Sequence, residues 1–221
     1  DLNGDTYPDL VVTNRSNSNL GVLLGNGDGT FQTQVTYGAG TSPSLVAIED
    51  LSGDTYPDLA AANRASSNVG VLLGNGDGTF QTQVTYGAGA KISSLTIVDL
   101  NGDTYHDLAT ANSEDNDVSI LLGNGDGTFQ TKIDYAVGSW PTSVTNGDLN
   151  GDTYPDLVTT NDSGGSLSVL LGNGDGTFQA KVDYGVGLKP QLVAIGDLNG
   201  DLKPDLAVAN WSSDSLSVLL G

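Results

Sequence analysis

Cysteine and methionine are absent from this 221-residue chain, histidine occurs once, and Lys and Arg number 7 against 27 Asp and Glu. Each shortage closes a class of function. Without cysteine there is no disulfide scaffold, no thiol nucleophile and no Cys-based zinc or iron–sulfur centre. One histidine cannot build a His-based metal cluster and leaves a catalytic triad without support elsewhere. A net charge of −20 offers no basic surface to neutralise phosphates, so no nucleic-acid partner is expected. No apolar run approaches the roughly 20 residues that cross a bilayer, so no membrane insertion is expected. The first residues read as the interior of a repeat and not as a secretion signal, and with no methionine the stretch is expected to begin inside a longer reading frame. Hydrophobic residues at 37 % and 31 glycines leave two classes open. One is a disordered acidic polymer; the other is an all-β repeat protein whose charge a cation offsets.

Periodicity decides between them. Asp-Leu-Asn-Gly-Asp begins at Asp1 and returns at Asp50 (with Ser52 for Asn), Asp99, Asp148 and Asp197, always 49 residues on. Leu-Leu-Gly-Asn-Gly-Asp-Gly-Thr-Phe-Gln runs from Leu23 to Gln32 and recurs unchanged at Leu72, Leu121 and Leu170. The chain therefore reads as one repeat domain, residues 1–221, made of repeats 1–49, 50–98, 99–147 and 148–196 and a partial fifth, 197–221. Periods of this length mark architectures in which no unit buries its own apolar face without neighbours.

Four short apolar or alternating runs fill one repeat: Asp9–Asn14, Gly21–Leu24, Phe31–Tyr37 and Ser44–Ile48. Phe31, Thr33, Val35 and Tyr37 alternate with polar residues, which predicts a half-buried strand with those four facing inward. Gly25–Gly29 supplies the positive φ that a tight hairpin needs. No segment has a helical period. The expectation is an all-β chain, a β-propeller of four-stranded antiparallel blades with a 49-residue repeat, incomplete or part of a larger propeller or array.

Each repeat opens on oxygen-bearing side chains at alternate positions. The first loop carries Asp1, Asn3, Asp5 and Asp9, with the Tyr7 carbonyl between the last two. The others carry Asp50, Ser52, Asp54, Tyr56 and Asp58; Asp99, Asn101, Asp103, Tyr105 and Asp107; Asp148, Asn150, Asp152, Tyr154 and Asp156; and Asp197, Asn199, Asp201, Lys203 and Asp205. Oxygen ligands on a tight loop closed by a carboxylate suit a hard cation, and Ca²⁺ tolerates such irregular geometry better than Mg²⁺. Two carboxylates ~5 Å apart repel by about 3 kcal/mol at an effective dielectric of ~20, so each loop gains from an ion. Up to five calcium ions are expected, bringing the net charge from −20 to about −10. A helix–loop–helix hand is excluded because its twelfth loop position holds Val12, where a bidentate Glu belongs.

Asp-Leu-Asn-Gly-Asp-Thr-Tyr-Pro-Asp-Leu, followed by a β run and Leu-Leu-Gly-Asn-Gly-Asp-Gly-Thr-Phe, resembles the FG-GAP/VCBS repeats of integrin α-subunit-like propellers along the whole chain. The resemblance implies a propeller, usually seven-bladed, with Ca²⁺ held by the positions just named. It also implies an extracellular or cell-surface setting and roles in adhesion or in carbohydrate or protein binding. The family often has Gly where this chain has Thr6, Thr55, Thr104, Thr153 and Leu202, so the sharp turn must use residues that dislike positive φ.

Antiparallel connectivity puts the acidic loops and hairpin turns on one edge and the diverged segments, such as Arg15–Asn19 and Ser139–Pro141, on the other. Trp140 and Trp211 are the candidate ligand platforms there, with Arg15, Arg64, Lys91 and Lys189 as polar contacts. His106 substitutes for the proline of the other repeats, and Asn14, Asn161 and Asn210 lie in Asn-x-Ser sequons. The leading expectation is a non-enzymatic, extracellular calcium-binding propeller for adhesion, surface recognition or extracellular structure, with a protein or carbohydrate ligand. The alternatives are a lectin, an accessory domain of a secreted hydrolase, and a fibre-forming element that self-associates through open terminal strands.

Overall fold

The computed structural model describes residues 1–221, with eighteen strands and no helix, hence none long and apolar enough to cross a membrane. The first sheet has β1 (Leu10–Asn14), β2 (Asn19–Leu23) and β3 (Val35–Gly38). The second has β4 (Pro43–Glu49), β5 (Asp58–Asn63), β6 (Asn68–Leu72) and β7 (Val84–Gly87). The third has β8 (Ile92–Val98), β9 (Asp107–Asn112), β10 (Asp117–Leu121) and β11 (Ile133–Ala136). The fourth has β12 (Pro141–Gly147), β13 (Asp156–Asn161), β14 (Ser166–Leu170) and β15 (Val182–Gly185), and the fifth β16 (Pro190–Gly196), β17 (Asp205–Asn210) and β18 (Ser215–Leu219). In each sheet the strands follow chain order and pair antiparallel. Short runs joined by tight turns allow nothing else.

A sheet is offset from the sequence repeat: its first strand closes one 49-residue unit and its remaining strands open the next. Successive sheets touch along those first strands, β4 against β8, β8 against β12 and β12 against β16. Hydroxyls tie them, Ser93 donating to the Pro141 carbonyl at 2.7 Å and Thr142 to the Pro190 carbonyl at 2.9 Å. Strands β5, β9 and β13, covered on both faces, are buried at every position. The core is divided into four clusters, one at each boundary between sheets, as expected of units that cannot bury themselves singly. The five sheets do not close into a ring. The outward side chains Leu10 and Val12 of the first sheet and Leu216 and Val218 of the fifth stay exposed.

The Phe31–Tyr37 run differs from its expected form. Its strand begins only at Val35, and Phe31 makes an isolated bridge to Gly25. The break resets the alternation. In the second sheet Phe80 is buried, Gln83 and Tyr86 are half-buried, and Val84 faces outward at 55 % exposure. Gln83 lies over Gly70, where a Cβ would stand 1.4 Å from the amide nitrogen. The third and fourth sheets fill that place differently. Ser119 and Ser168 replace the glycine and donate to Asp134 and Asp183 at 2.6 Å.

Candidate functional site

The acidic loops are built by their own backbone. Asp1 accepts the Gly4 N–H at 2.7 Å on one carboxylate oxygen and the Thr6 N–H at 2.8 Å on the other; Asp5 accepts the Tyr7 N–H at 2.8 Å. This wrapping forces the sixth position into left-handed backbone, with φ of 72° at Thr6, 74° at Thr55 and Thr104, 73° at Thr153 and 67° at Leu202. For β-branched threonine that costs on the order of 1–2 kcal/mol per loop, and the carboxylate-to-amide bonds of the first Asp hold it there. The replacement of Gly read from the sequence is thus tolerated five times over with the same turn, by Thr in four loops and by Leu202 in the fifth.

The third and fifth side chains are brought together, Asn3 donating its amide to Asp5 at 2.9 Å, with matching pairs at Asn101–Asp103, Asn150–Asp152 and Asn199–Asp201. In the second loop the buried Ser52 hydroxyl makes no hydrogen bond. The ninth residue turns elsewhere: Asp9 accepts the Leu2 N–H at 2.6 Å and the Gly25 N–H at 2.7 Å, so it pins the loop to the hairpin turn of its own sheet. Nowhere do three Asp, Glu or His side chains converge closely enough to hold an ion between them. The rings of Tyr7, Tyr56, Tyr105 and Tyr154 have a role the sequence did not disclose. Each lies against a hairpin glycine, where a Cβ at Gly27 would sit 2.4 Å from the Tyr7 ring. In the fifth loop Lys203 takes that position. His106 faces the previous sheet, its Nδ1 lying 2.9 Å from the Asp50 carbonyl and thus able to donate to it.

These loops also form the joints between sheets. The hairpin of each following sheet donates a glycine N–H back to the loop's leucine carbonyl: Gly78 to Leu2 at 3.0 Å, Gly127 to Leu51 at 2.9 Å and Gly176 to Leu100 at 3.1 Å. Order in an acidic loop is therefore order at a sheet boundary. With three acids per loop and one per hairpin, this edge carries 19 of the 27 Asp and Glu.

The closing aspartates lie in apolar surroundings. Burial pushes the Asp107 carboxyl up to about 6, against the hydrogen bonds from Gly123 and Leu100 that favour its charge, and with the Asp103 and Asp99 charges adding to the rise. Burial raises Asp58 and Asp156 in the same way. A folded pKa above the unfolded value means stability present in acid and lost as the pH rises through about 6. The hairpin aspartates Asp28, Asp77, Asp126 and Asp175 shift the other way through their threonine hydrogen bonds, so their contribution persists until the pH falls below the ordinary carboxylate range. In chelator the chain is accordingly expected to melt higher at pH 5 than at pH 7.5. Differential scanning calorimetry across that range checks it, and a higher melting point at pH 7.5 contradicts it.

On the opposite edge stand four of the seven cations, Arg15, Arg64, Lys91 and Lys189. Trp140 is 38 % and Trp211 69 % exposed, but each already carries a lysine over one ring face, Lys91 at 5.3 Å and Lys189 at 5.4 Å. Lys91 also pairs with Glu114 at 3.3 Å, and Arg15 donates to Ser42 at 2.8 Å. Arg64 donates its backbone N–H to the Ser42 carbonyl. Ser42, Lys91, Trp140 and Lys189 occupy the same turn position and share positive φ, a feature that no glycine signalled in the sequence. Two of the three sequons are closed: Asn161 is fully buried and Asn210 nearly so, each donating its amide to serines inside its own sheet. Neither side chain is open to a glycan in the folded chain.

A tandem all-β repeat whose units meet at acidic loops is the class that this geometry defines. The FG-GAP-like repeat profile matches residues 1–61, 50–110, 99–159 and 148–208, and the chain belongs to that family. No curated protein matches it by sequence. Among solved structures, the chain is similar to BBS1N in its complex with ARL6DN, soaked with lead, at 15 % identity and a TM-score of 0.62 over 99 % of this chain and 62 % of that one. It is similar to the *Vibrio cholerae* biofilm matrix protein Bap1 at 22 % identity and a TM-score of 0.61, over 99 % of this chain and 36 % of that one. A third likeness, to the *Photorhabdus luminescens* Tc holotoxin pore, has 15 % identity and a TM-score of 0.51 over 97 % and 11 %. This chain spans less than two thirds of each, and at these identities the likeness is one of fold.

Proposed function

We propose that this chain is a non-enzymatic, calcium-clamped segment of a propeller-type repeat protein that works outside the cell in adhesion or matrix assembly. The observation that carries the reading is the fivefold recurrence of one acidic loop, three of whose copies are bonded across a sheet boundary, with none of its carboxylates in an ion pair. The donors are of the type a hard cation takes: Asp1, Asn3 and Asp5 would close in to supply side-chain oxygen and Tyr7 its carbonyl, while Asp9, whose two oxygens already accept from the Leu2 and Gly25 N–H groups, would share a remaining lone pair, and likewise in each repeat. Asn3 now aims its amide nitrogen at Asp5, and rotation about its last torsion presents the oxygen instead. Bound there, the ion supplies charge neutralisation and no chemistry of its own. Five copies of one loop, with no unique pocket pairing two carboxylates, favour structure over catalysis. Likeness in fold to a biofilm matrix protein favours an extracellular setting.

The acidic edge serves as clamp and the mixed edge bearing Trp140 and Trp211 serves as contact surface. Because a lysine covers one face of each indole, a protein surface suits this edge better than a stacked sugar. Equilibrium dialysis of chelator-stripped protein against calcium tests the reading. Up to five bound ions are expected, falling by one in Asp103→Ala; no uptake at millimolar calcium overturns it.

A further inference from the structure

The dipeptide Asn-Gly occurs nine times in the chain, and the fold puts it into three different environments. In this pair the glycine nitrogen can reach the carbonyl carbon of the preceding side chain, because no Cβ obstructs the approach. In the acidic loops both partners are tied. Gly102 donates its N–H to Asp99 and Gly151 to Asp148, each at 2.8 Å. The Asn101 and Asn150 amides donate to Asp103 at 2.9 Å and to Asp152 at 2.8 Å, and their oxygens accept the N–H of those same residues at 2.9 Å. Asn146 lies within β12, its Oδ1 accepting from Thr96 at 2.7 Å, and Gly147 is in the ladder opposite Asp156.

The hairpins are different. Asn75, Asn124 and Asn173 are exposed, and the N–H groups of Gly76, Gly125 and Gly174 make no hydrogen bond. Each of these asparagine side chains has one tether, its amide donating at 2.8 Å to the hydroxyl of Thr79, Thr128 or Thr177. That hydroxyl in turn donates at 2.5 Å to Asp77, Asp126 or Asp175.

We propose that Asn75, Asn124 and Asn173 are sites of spontaneous backbone modification by succinimide formation, and that the fold protects Asn101, Asn146 and Asn150 from the same reaction. The glycine nitrogen attacks the asparagine Cγ. An N–Cγ bond forms, the Cγ–Nδ2 bond breaks, and the proton from the glycine N–H leaves with the side-chain nitrogen as ammonia. Water then opens one of the two imide C–N bonds, giving aspartate or isoaspartate. Neither product restores the hairpin. The new carboxylate has no proton to donate, and the threonine hydroxyl's single hydrogen is already on the neighbouring aspartate, so two carboxylates flank one hydroxyl and repel. Isoaspartate also adds a methylene to the main chain. The same hairpins hold the sheets together, through Gly78 to Leu2, Gly127 to Leu51 and Gly176 to Leu100. Modification therefore acts as an ageing switch that loosens sheet boundaries. The contrast rests on hydrogen bonds within the chain and so does not depend on calcium.

The test is to age the 221-residue chain in warm, mildly alkaline heavy-oxygen water, natively and in urea, and to map the incorporated label by mass spectrometry. Trypsin places the three hairpins on separate peptides, Ala65–Lys91, Ile92–Lys132 and Ile133–Lys181, and the last two also carry the protected pairs. Attack in an acidic loop must first break a bond to a charged carboxylate, so the native hairpins are expected to react roughly tenfold faster or more. In urea the sites should react alike. The melting midpoint should fall as the modified fraction rises. The triple variant Asn75→Gln, Asn124→Gln, Asn173→Gln, whose longer side chains close a six-membered ring far more slowly, should keep its midpoint on ageing. Native modification of Asn101 and Asn150 as fast as of the hairpins overturns the assignment, and so do hairpins that stay unmodified natively while the urea sample reacts. Should the triple variant fail to fold, the map of the parent chain decides alone. A parent midpoint that stays level while the hairpins are modified overturns the switch.

Discussion

Stripped of calcium, the chain is expected to melt tens of degrees below its calcium-loaded form. A ligand that binds only the native state, at a hundred times its dissociation constant, stabilises by about 2.7 kcal/mol per site. Five such sites sum to on the order of 10 kcal/mol. For a chain of this size each kcal/mol moves the midpoint by roughly 2–4 °C. The effect reaches beyond the loops because each is bonded to its own hairpin, as Asp9 is through Gly25, and the first three are bonded also to the next sheet, as Leu2 is through Gly78. Loss of an ion therefore loosens a sheet boundary as well as a turn. Thermal melts by circular dichroism with calcium and with chelator measure this directly. In calcium, Asp103→Ala should forfeit about one site's share. Identical melting curves with and without chelator would mean that the backbone bonds to Asp1 and Asp5 and their equivalents hold the loops unaided.

The second large effect contrasts two chemically identical substitutions. Phe129→Ala should destabilise by about 3–5 kcal/mol, because the ring is buried between two sheets and stacks edge-on with Tyr86. Phe31→Ala, at the same place in the repeat, should cost under about 1 kcal/mol. Within residues 1–221 that ring is 39 % exposed and meets no tyrosine edge-on, unlike Phe80, Phe129 and Phe178. Urea denaturation in calcium gives both numbers. Equal losses would show that the stabilisation resides inside each hairpin and not between sheets.

The contrast shows where sequence reading runs out. Phe31, Phe80, Phe129 and Phe178 sit in the same ten-residue string, yet only the last three are buried. Burial there depends on a neighbour, which a local pattern does not encode. The same holds for the alternating run from Phe31 to Tyr37. Period two is a sound signal for a continuous pleat, but the gap between the Gly25–Phe31 bridge and Val35 breaks the pleat and turns Val35 outward. Gly70, inside β6, is the floor on which Gln83 rests, a contact between strands that the local pattern does not carry. The acidic loops were legible to the residue, including the left-handed sixth position, because a turn is a local object whose carboxylates find their partners within five residues. The bond from the ninth aspartate to the hairpin was not, since its partner Gly25 lies sixteen residues on.

The sequence alone determined the 49-residue unit, the absence of helix, the four strand segments per unit and the positions of all five acidic loops, since each follows from composition, spacing or turn chemistry within one repeat. Only the tertiary structure decided which phenylalanines become core, which asparagines are sealed from glycans and how the tryptophans are covered. Those properties belong to surfaces between sheets, and identical strings acquire different environments according to what is packed beside them.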